Sequence, residues 1–181
     1  MLTAPGVPFI YYGEEIGMQG TAYELVRLPM QWSDGTNAGF STAVPWKPVG
    51  QGWETFNVAN ENNDPESILS HFRSLIQVRS ENSALRTGNL SLVATGNPGL
   101  YSILRENQEE SILVLVNLTG NPISSYGLSL ASSSLVEGMF SPQLIMGEGT
   151  LSPLQVQPGG GFTSYLPLPE IPPYTTVILK F

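Results

Sequence analysis

The stretch that most constrains the fold is Ser111-Ile112-Leu113-Val114-Leu115-Val116-Asn117. Side chains alternate across a strand, so Ile112, Val114 and Val116 share one face while Leu113 and Leu115 share the other. Both faces are apolar. A strand of this kind is stable only where both faces are covered, which predicts a central position in a sheet. Candidate neighbours surround it at 90–95, 100–105, 125–130, 136–140, 151–156, 161–166 and 175–181, separated by turn-forming segments such as Gly96-Asn97-Pro98-Gly99 and Pro158-Gly159-Gly160-Gly161. Short strands at this spacing read as an antiparallel β-domain over residues 88–181.

One long helix precedes it. Asp64 and Pro65 suit a helix start, and Ile68, Leu69, Phe72, Leu75 and Ile76 recur at helical spacing along one stripe. Arg79 falls near the end, where a cation suits the helix dipole. Residues 1–62 are different. A short apolar run at 7–12 reads as a buried strand, and from Met18 to Asn62 the chain reads as long loops, which compact domains keep mainly for building sites. The 19 Gly and 15 Pro among 181 residues fit a chain of many turns and few helices.

Charge and composition exclude several functions. The net charge is −8 with seven Lys and Arg, which argues against nucleic acid and against anionic membranes. No apolar run reaches the ~20 residues of a membrane span, and the first residues lack the pattern of a signal peptide. Cysteine is absent and there is one His, so disulfides, thiolate metal sites and His-rich metal sites are excluded. No cofactor and no metal is implied. His71 reads as a packed or surface residue on the helix. Residues 158–161 read as a turn, because the Lys and following helix of a phosphate loop are missing. Asn89-Leu90-Ser91 and Asn117-Leu118-Thr119 fit the glycosylation tripeptide, a pattern frequent by chance.

The segment Pro8-Phe9-Ile10-Tyr11-Tyr12-Gly13-Glu14-Glu15-Ile16-Gly17-Met18 resembles the last barrel strand of glycoside hydrolase family 13, the α-amylase and α-glucosidase family. Arg27-Leu28-Pro29-Met30-Gln31-Trp32 is similar to its Arg-Thr-Pro-Met-Gln-Trp segment, with Leu28 in place of the Thr. Asn37-Ala38-Gly39-Phe40-Ser41, Pro45-Trp46 and Asn63-Asp64-Pro65 follow in the family's order. The resemblance implies a mainly β chain with one long helix. Residues 1–87 would be the last βα unit of a truncated (β/α)8 barrel, and residues 88–181 an antiparallel β-sandwich. It also implies retaining hydrolysis of α-glucosidic bonds in starch or malto-oligosaccharides, carried by two carboxylates flanking the scissile bond.

None of the family's catalytic carboxylates maps onto this chain, so no catalytic residue is assigned. Glu14 and Glu15 are adjacent, and neighbours on a strand end point in opposite directions, so they cannot flank one bond. Asp34 and Asp64 read as a turn residue and a helix cap. The expected substrate-binding residues are Arg27, Tyr12, Glu14 and Trp32. A guanidinium fork can donate to two sugar hydroxyls at once, and aromatic rings, including Phe40 and Trp46, can stack on sugar faces; loop packing is the plainer role for each. The expected partner is an α-glucan in a longer enzyme whose true N-terminus is missing here. The piece alone is expected to be inactive and to self-associate through residues 5–20, where a strand lacks neighbours. The alternative is a stand-alone carbohydrate-binding or structural β-sandwich module, which would have no need of the loops before residue 62.

Overall fold

The computed structural model describes residues 1–20 and 27–181. They form two compact units, Pro8–Gln77 and the pair of segments Met1–Val7 and Val78–Phe181.

The second of these is built on an antiparallel sheet. β1 (Asn89–Leu92), β2 (Leu100–Glu106), β3 (Ser111–Asn117), β6 (Gln143–Met146) and β9 (Thr176–Lys180) run in the order β1-β2-β3-β9-β6. β3 lies at the centre, as its two apolar faces require, with Val114 opposite Ile103 of β2 and Ile178 of β9. Two smaller ladders complete the domain. β4 (Leu128–Leu130) pairs with β8 (Phe162–Tyr165), and β5 (Gly138–Phe140) with β7 (Leu154–Val156). Leu104, Leu113, Leu115, Val177 and Leu179 from one face of the large sheet share a core with Leu128, Leu154, Val156 and Phe162. Residues 158–161 form the turn between β7 and β8. A Cβ on Gly160 would stand 2.2 Å from the Ser133 carbonyl oxygen, so only glycine fits there.

Sequence periodicity misses β6. Its Gln-Leu-Ile-Met run is short, follows Pro142, and pairs with β9 through a register shift between Leu144 and Met146. Edge strands tolerate proline and irregular pairing, which blurs the alternation that marks a strand.

The opposite face of the sheet carries Ile103, Arg105, Ile112, Val114 and Ile178, all fully buried. Helix α3 (Ser83–Thr87) packs over β2 and β3 on this domain. Glu110 anchors α3: one carboxylate oxygen accepts the Ala84 N–H at 2.9 Å and the Ser83 hydroxyl at 3.2 Å, and the other meets the Lys180 ammonium. The first residues of the chain are tied in by two arginines. Arg79 donates to the carbonyls of Leu2 (2.7 Å), Ala4 (3.0 Å) and Gly6 (2.6 Å), while Arg105 donates to Thr3 (2.7 Å) and Gly88 (2.8 Å).

The other unit, Pro8–Gln77, is mainly loop. The apolar run at 7–12 is not a strand, contrary to the sequence expectation. It has no ladder partners among the described residues, and Val7 and Phe9 are 77% and 85% exposed. A strand is defined by bonds to a neighbour, and apolar composition alone cannot provide them. Ile16, Met30 and Leu69 form a small core here, with Met18 and Val58 packed against it. Helix α1 (Val58–Glu61) is capped by Asn57, whose Oδ1 accepts the Asn60 N–H at 2.9 Å. Helix α2 (Ile68–Glu81) starts three residues later than the Asp64 signal suggests. Asp64 closes the preceding turn by accepting the Glu66 N–H at 2.9 Å. The caps are Ser67, which accepts from Ser70 N at 3.2 Å, and Glu61, whose Oε2 accepts from Leu69 N at 3.0 Å.

Two outcomes follow. Arg105→Met keeps an unbranched side chain and removes the guanidinium that donates to the carbonyls of Thr3, Gly88 and Asn89; urea denaturation should show a loss of about 2–4 kcal/mol. Burial pushes the Glu110 carboxyl up, but the bonds from Lys180, Ala84 and Ser83 outweigh it and hold the group below the ordinary glutamate value. Its contribution to stability is therefore complete above the unfolded value of about 4.3 and is lost as pH falls through the folded value. A pH series of unfolding free energies should show this acid slope in the parent and a shallower one in Glu110→Gln.

Candidate functional site

The cleft that gathers the sequence candidates lies in the Pro8–Gln77 unit. It encloses about 620 Å3, and Tyr11, Tyr12, Glu15, Arg27, Trp32 and Phe40 are among the lining residues, with Trp46 and the segment Leu28-Pro29-Met30. Local sequence explains how they converge. Gly13 takes φ +90°, and a Cβ there would stand 2.5 Å from Met18 Sδ, so the chain can fold back on itself only at a glycine. The return turn Glu14–Ile16 seats Ile16 in the small core and leaves Glu15 on the cleft lining.

The two glutamates have different tasks. Glu14 accepts the Tyr11 N–H at 3.2 Å, turning onto the backbone. Glu15 accepts the Gly13 N–H at 2.8 Å and lines the cleft. Glu14 is the glutamate expected to bind substrate; the structure sets Glu15 on the cleft wall and Glu14 against the Tyr11 backbone. A helical turn instead of a strand end sets this choice, and the Gly13 position was the available signal. Among the described residues Glu15 is the one carboxylate lining the cleft, whereas the two-carboxylate chemistry of retaining glycosidases needs a pair ~5–5.5 Å apart.

Tyr12, Arg27 and Trp32 come together as cleft-lining residues. The Tyr12 hydroxyl donates to the Leu28 carbonyl at 3.0 Å, and its ring leans on Tyr11 with centroids 4.9 Å apart at 35°. Burial, with Tyr11 adding to it, raises the Tyr12 phenol above its ordinary value, while the charge of Arg27 pulls it down. The phenol therefore remains a neutral donor around neutral pH. Trp32, Phe40 and Trp46 present half-exposed to exposed rings, and the Lys47 ammonium stands 5.9 Å from the Trp46 ring centroid. The site thus offers a guanidinium, a carboxylate and several ring faces. Rings take the apolar faces of a pyranose, while the charged groups take its hydroxyls. Among the described residues no group of three His, Asp or Glu side chains could hold a metal ion. His71 and Asp34 are exposed and lie outside the cleft lining.

Comparison with known proteins finds similar chains. Residues 1–88 match the family described as alpha amylase, catalytic domain. The oligo-1,6-glucosidase of Heyndrickxia coagulans is 32% identical over 157 residues, spanning 66% of this chain and 28% of that protein. The solved α-amylase of H. orenii is 31% identical, with a TM-score of 0.71 over 99% of this chain and 33% of its own. A mutant of the trehalulose synthase MutB, solved with its substrate sucrose, is 27% identical, with a TM-score of 0.74 over 99% of this chain and 36% of its own. The fold is thus shared with solved proteins of the α-amylase type. The chain belongs to the α-amylase family, glycoside hydrolase family 13. It spans between about a quarter and about a third of the length of the curated relatives it matches.

Proposed function

We propose that the chain is the C-terminal part of a retaining α-glucan-active glycosidase. Residues 1–87 close a (β/α)8 barrel and residues 88–181 form its supporting β-sandwich. The observation that carries this reading is the cleft, where Arg27 and Glu15 stand among aromatic rings within the segment matching the catalytic domain. In this reading Arg27 holds the hydroxyls of a terminal glucose, Tyr12 and Trp32 bound its faces, and Glu14 supports the rim through the Tyr11 backbone. The general acid and the nucleophile belong to other segments of the enzyme, so this chain binds sugar and does not cleave it. Relatives named for α-1,6-glucosidic bonds, for α-amylase activity and for trehalulose synthesis share this portion. It therefore serves α-glucosides generally, and linkage choice resides elsewhere.

Maltose titrated into the chain should change its tryptophan fluorescence saturably, and Arg27→Ala should weaken binding about tenfold, the equivalent of about 1.4 kcal/mol. A chromogenic α-glucoside should stay intact in the same sample; turnover that survives purification would refute the assignment of the chemistry to other segments.

The exposed run at 7–12 supports a second part of the proposal, association between copies through residues 5–20. Sedimentation equilibrium should show concentration-dependent dimers or larger species that Phe9→Lys shifts towards monomer. A parent chain monomeric at every concentration would exclude this contact.

A further inference from the structure

The loop that carries the aromatic side of the cleft contains an unusual backbone. Asn37, Ala38 and Gly39 are consecutive and all left-handed, with φ of 53°, 53° and 68°. Glycine adopts this region freely, asparagine tolerates it, and alanine rarely visits it. Yet Ala38 is fully buried, so nothing about solvent exposure relaxes the requirement.

The bonds around this turn reach both flanks of the loop. The Ala38 carbonyl accepts two backbone N–H groups, from Trp32 at 2.8 Å and Ser33 at 3.1 Å. Asn37 Nδ2 donates forward to the carbonyls of Ser41 at 2.9 Å and Ala43 at 3.1 Å. Gly39 sits so close that a Cβ would come within 2.6 Å of Ser33 Oγ and 3.4 Å of Trp32 Cβ. Of the cleft aromatics, Trp32 is bonded to the turn, Phe40 directly follows it, and Trp46 follows the segment that the Asn37 amide holds.

We propose that Asn37 is a positioning residue for the sugar cleft: its left-handed backbone and forked amide fix the separation of Trp32 from Phe40 and Trp46. It touches no sugar itself. The sugar part of this inference rests on the function proposed above; the positioning part does not. A side chain that both accepts a left-handed backbone and offers two N–H donors is found in asparagine among the common residues of this region. Aspartate shares the conformation but would set a carboxylate against two carbonyl oxygens.

Two of the three tryptophans lie in the cleft, which makes them reporters. The experiment compares the parent with Asn37→Ala, Asn37→Gly and Asn37→Asp by acrylamide quenching, near-ultraviolet circular dichroism and maltose titration. In Asn37→Ala and Asn37→Asp, quenching should rise about twofold, the near-ultraviolet tryptophan bands should weaken, and maltose affinity should fall about tenfold, against ~1.4 kcal/mol for a tenfold change. Asn37→Gly keeps the backbone without the donors and should fall between these and the parent. That partial rescue would not occur if Asn37 merely filled space. Quenching and maltose affinity within experimental error of the parent in Asn37→Ala, or in Asn37→Gly should Asn37→Ala fail to fold, would overturn the proposal. A parent that binds no maltose would refute the sugar reading, and quenching and dichroism would then decide the positioning role on their own.

Discussion

Two guanidinium groups hold the β-domain together with the start of the chain. Arg79 and Arg105 donate to six backbone carbonyls, in Leu2, Thr3, Ala4, Gly6, Gly88 and Asn89. A segment of loop this irregular leaves its carbonyls without ladder or helix partners, and burying them unpaired would cost more than its few apolar contacts return. The planar fork of arginine meets several carbonyls at once, which the point charge of lysine cannot do. Burial, with the charge of Arg79 nearby, lowers the Arg105 guanidinium below its ordinary value, yet arginine starts high enough to stay protonated. With this seam in place the buried face of the sheet is closed, and β3 can occupy the centre that its sequence demands.

Much of the β-domain was legible because its cause is local. Alternation and turn residues mark β2, β3, β8 and β9 directly, and the double apolar face of β3 announces its central place. β6 was not legible, since pairing with β9 through an irregular register leaves no clean period. The run at 7–12 failed for the opposite reason. Its composition is that of a strand, but strand formation depends on a neighbour, and no property of the run itself reveals whether one is there. The start of α2 was misplaced because Asp64 and Ser67 both carry capping chemistry, and the choice between them is made by tertiary bonds from Glu61.

The cleft was legible in its residue types and less so in its geometry. Arg27, Tyr12 and Trp32 come from separate parts of the loop region, and the structure brings them to one wall. Glu14 and Glu15 look equivalent in sequence, and the single helical turn after Gly13 sets them apart, with Glu15 lining the cleft and Glu14 on the Tyr11 backbone. The left-handed turn at Asn37-Ala38-Gly39 was invisible to pattern reading. Left-handed alanine costs on the order of 1–3 kcal/mol, and such an expense is evident only once its hydrogen bonds are seen.

The arginine seam also shapes how the domain responds to ionic strength. Its acceptors are neutral carbonyl dipoles packed against buried guanidinium groups, so mobile ions have little room to come between them. The Glu110–Lys180 pair is different, because the lysine side chain is about one-third exposed and salt can screen it. Raising salt therefore loosens the anchor of α3 while the tie to residues 1–7 persists, and the two ends of the same sheet face become distinguishable by electrolyte alone.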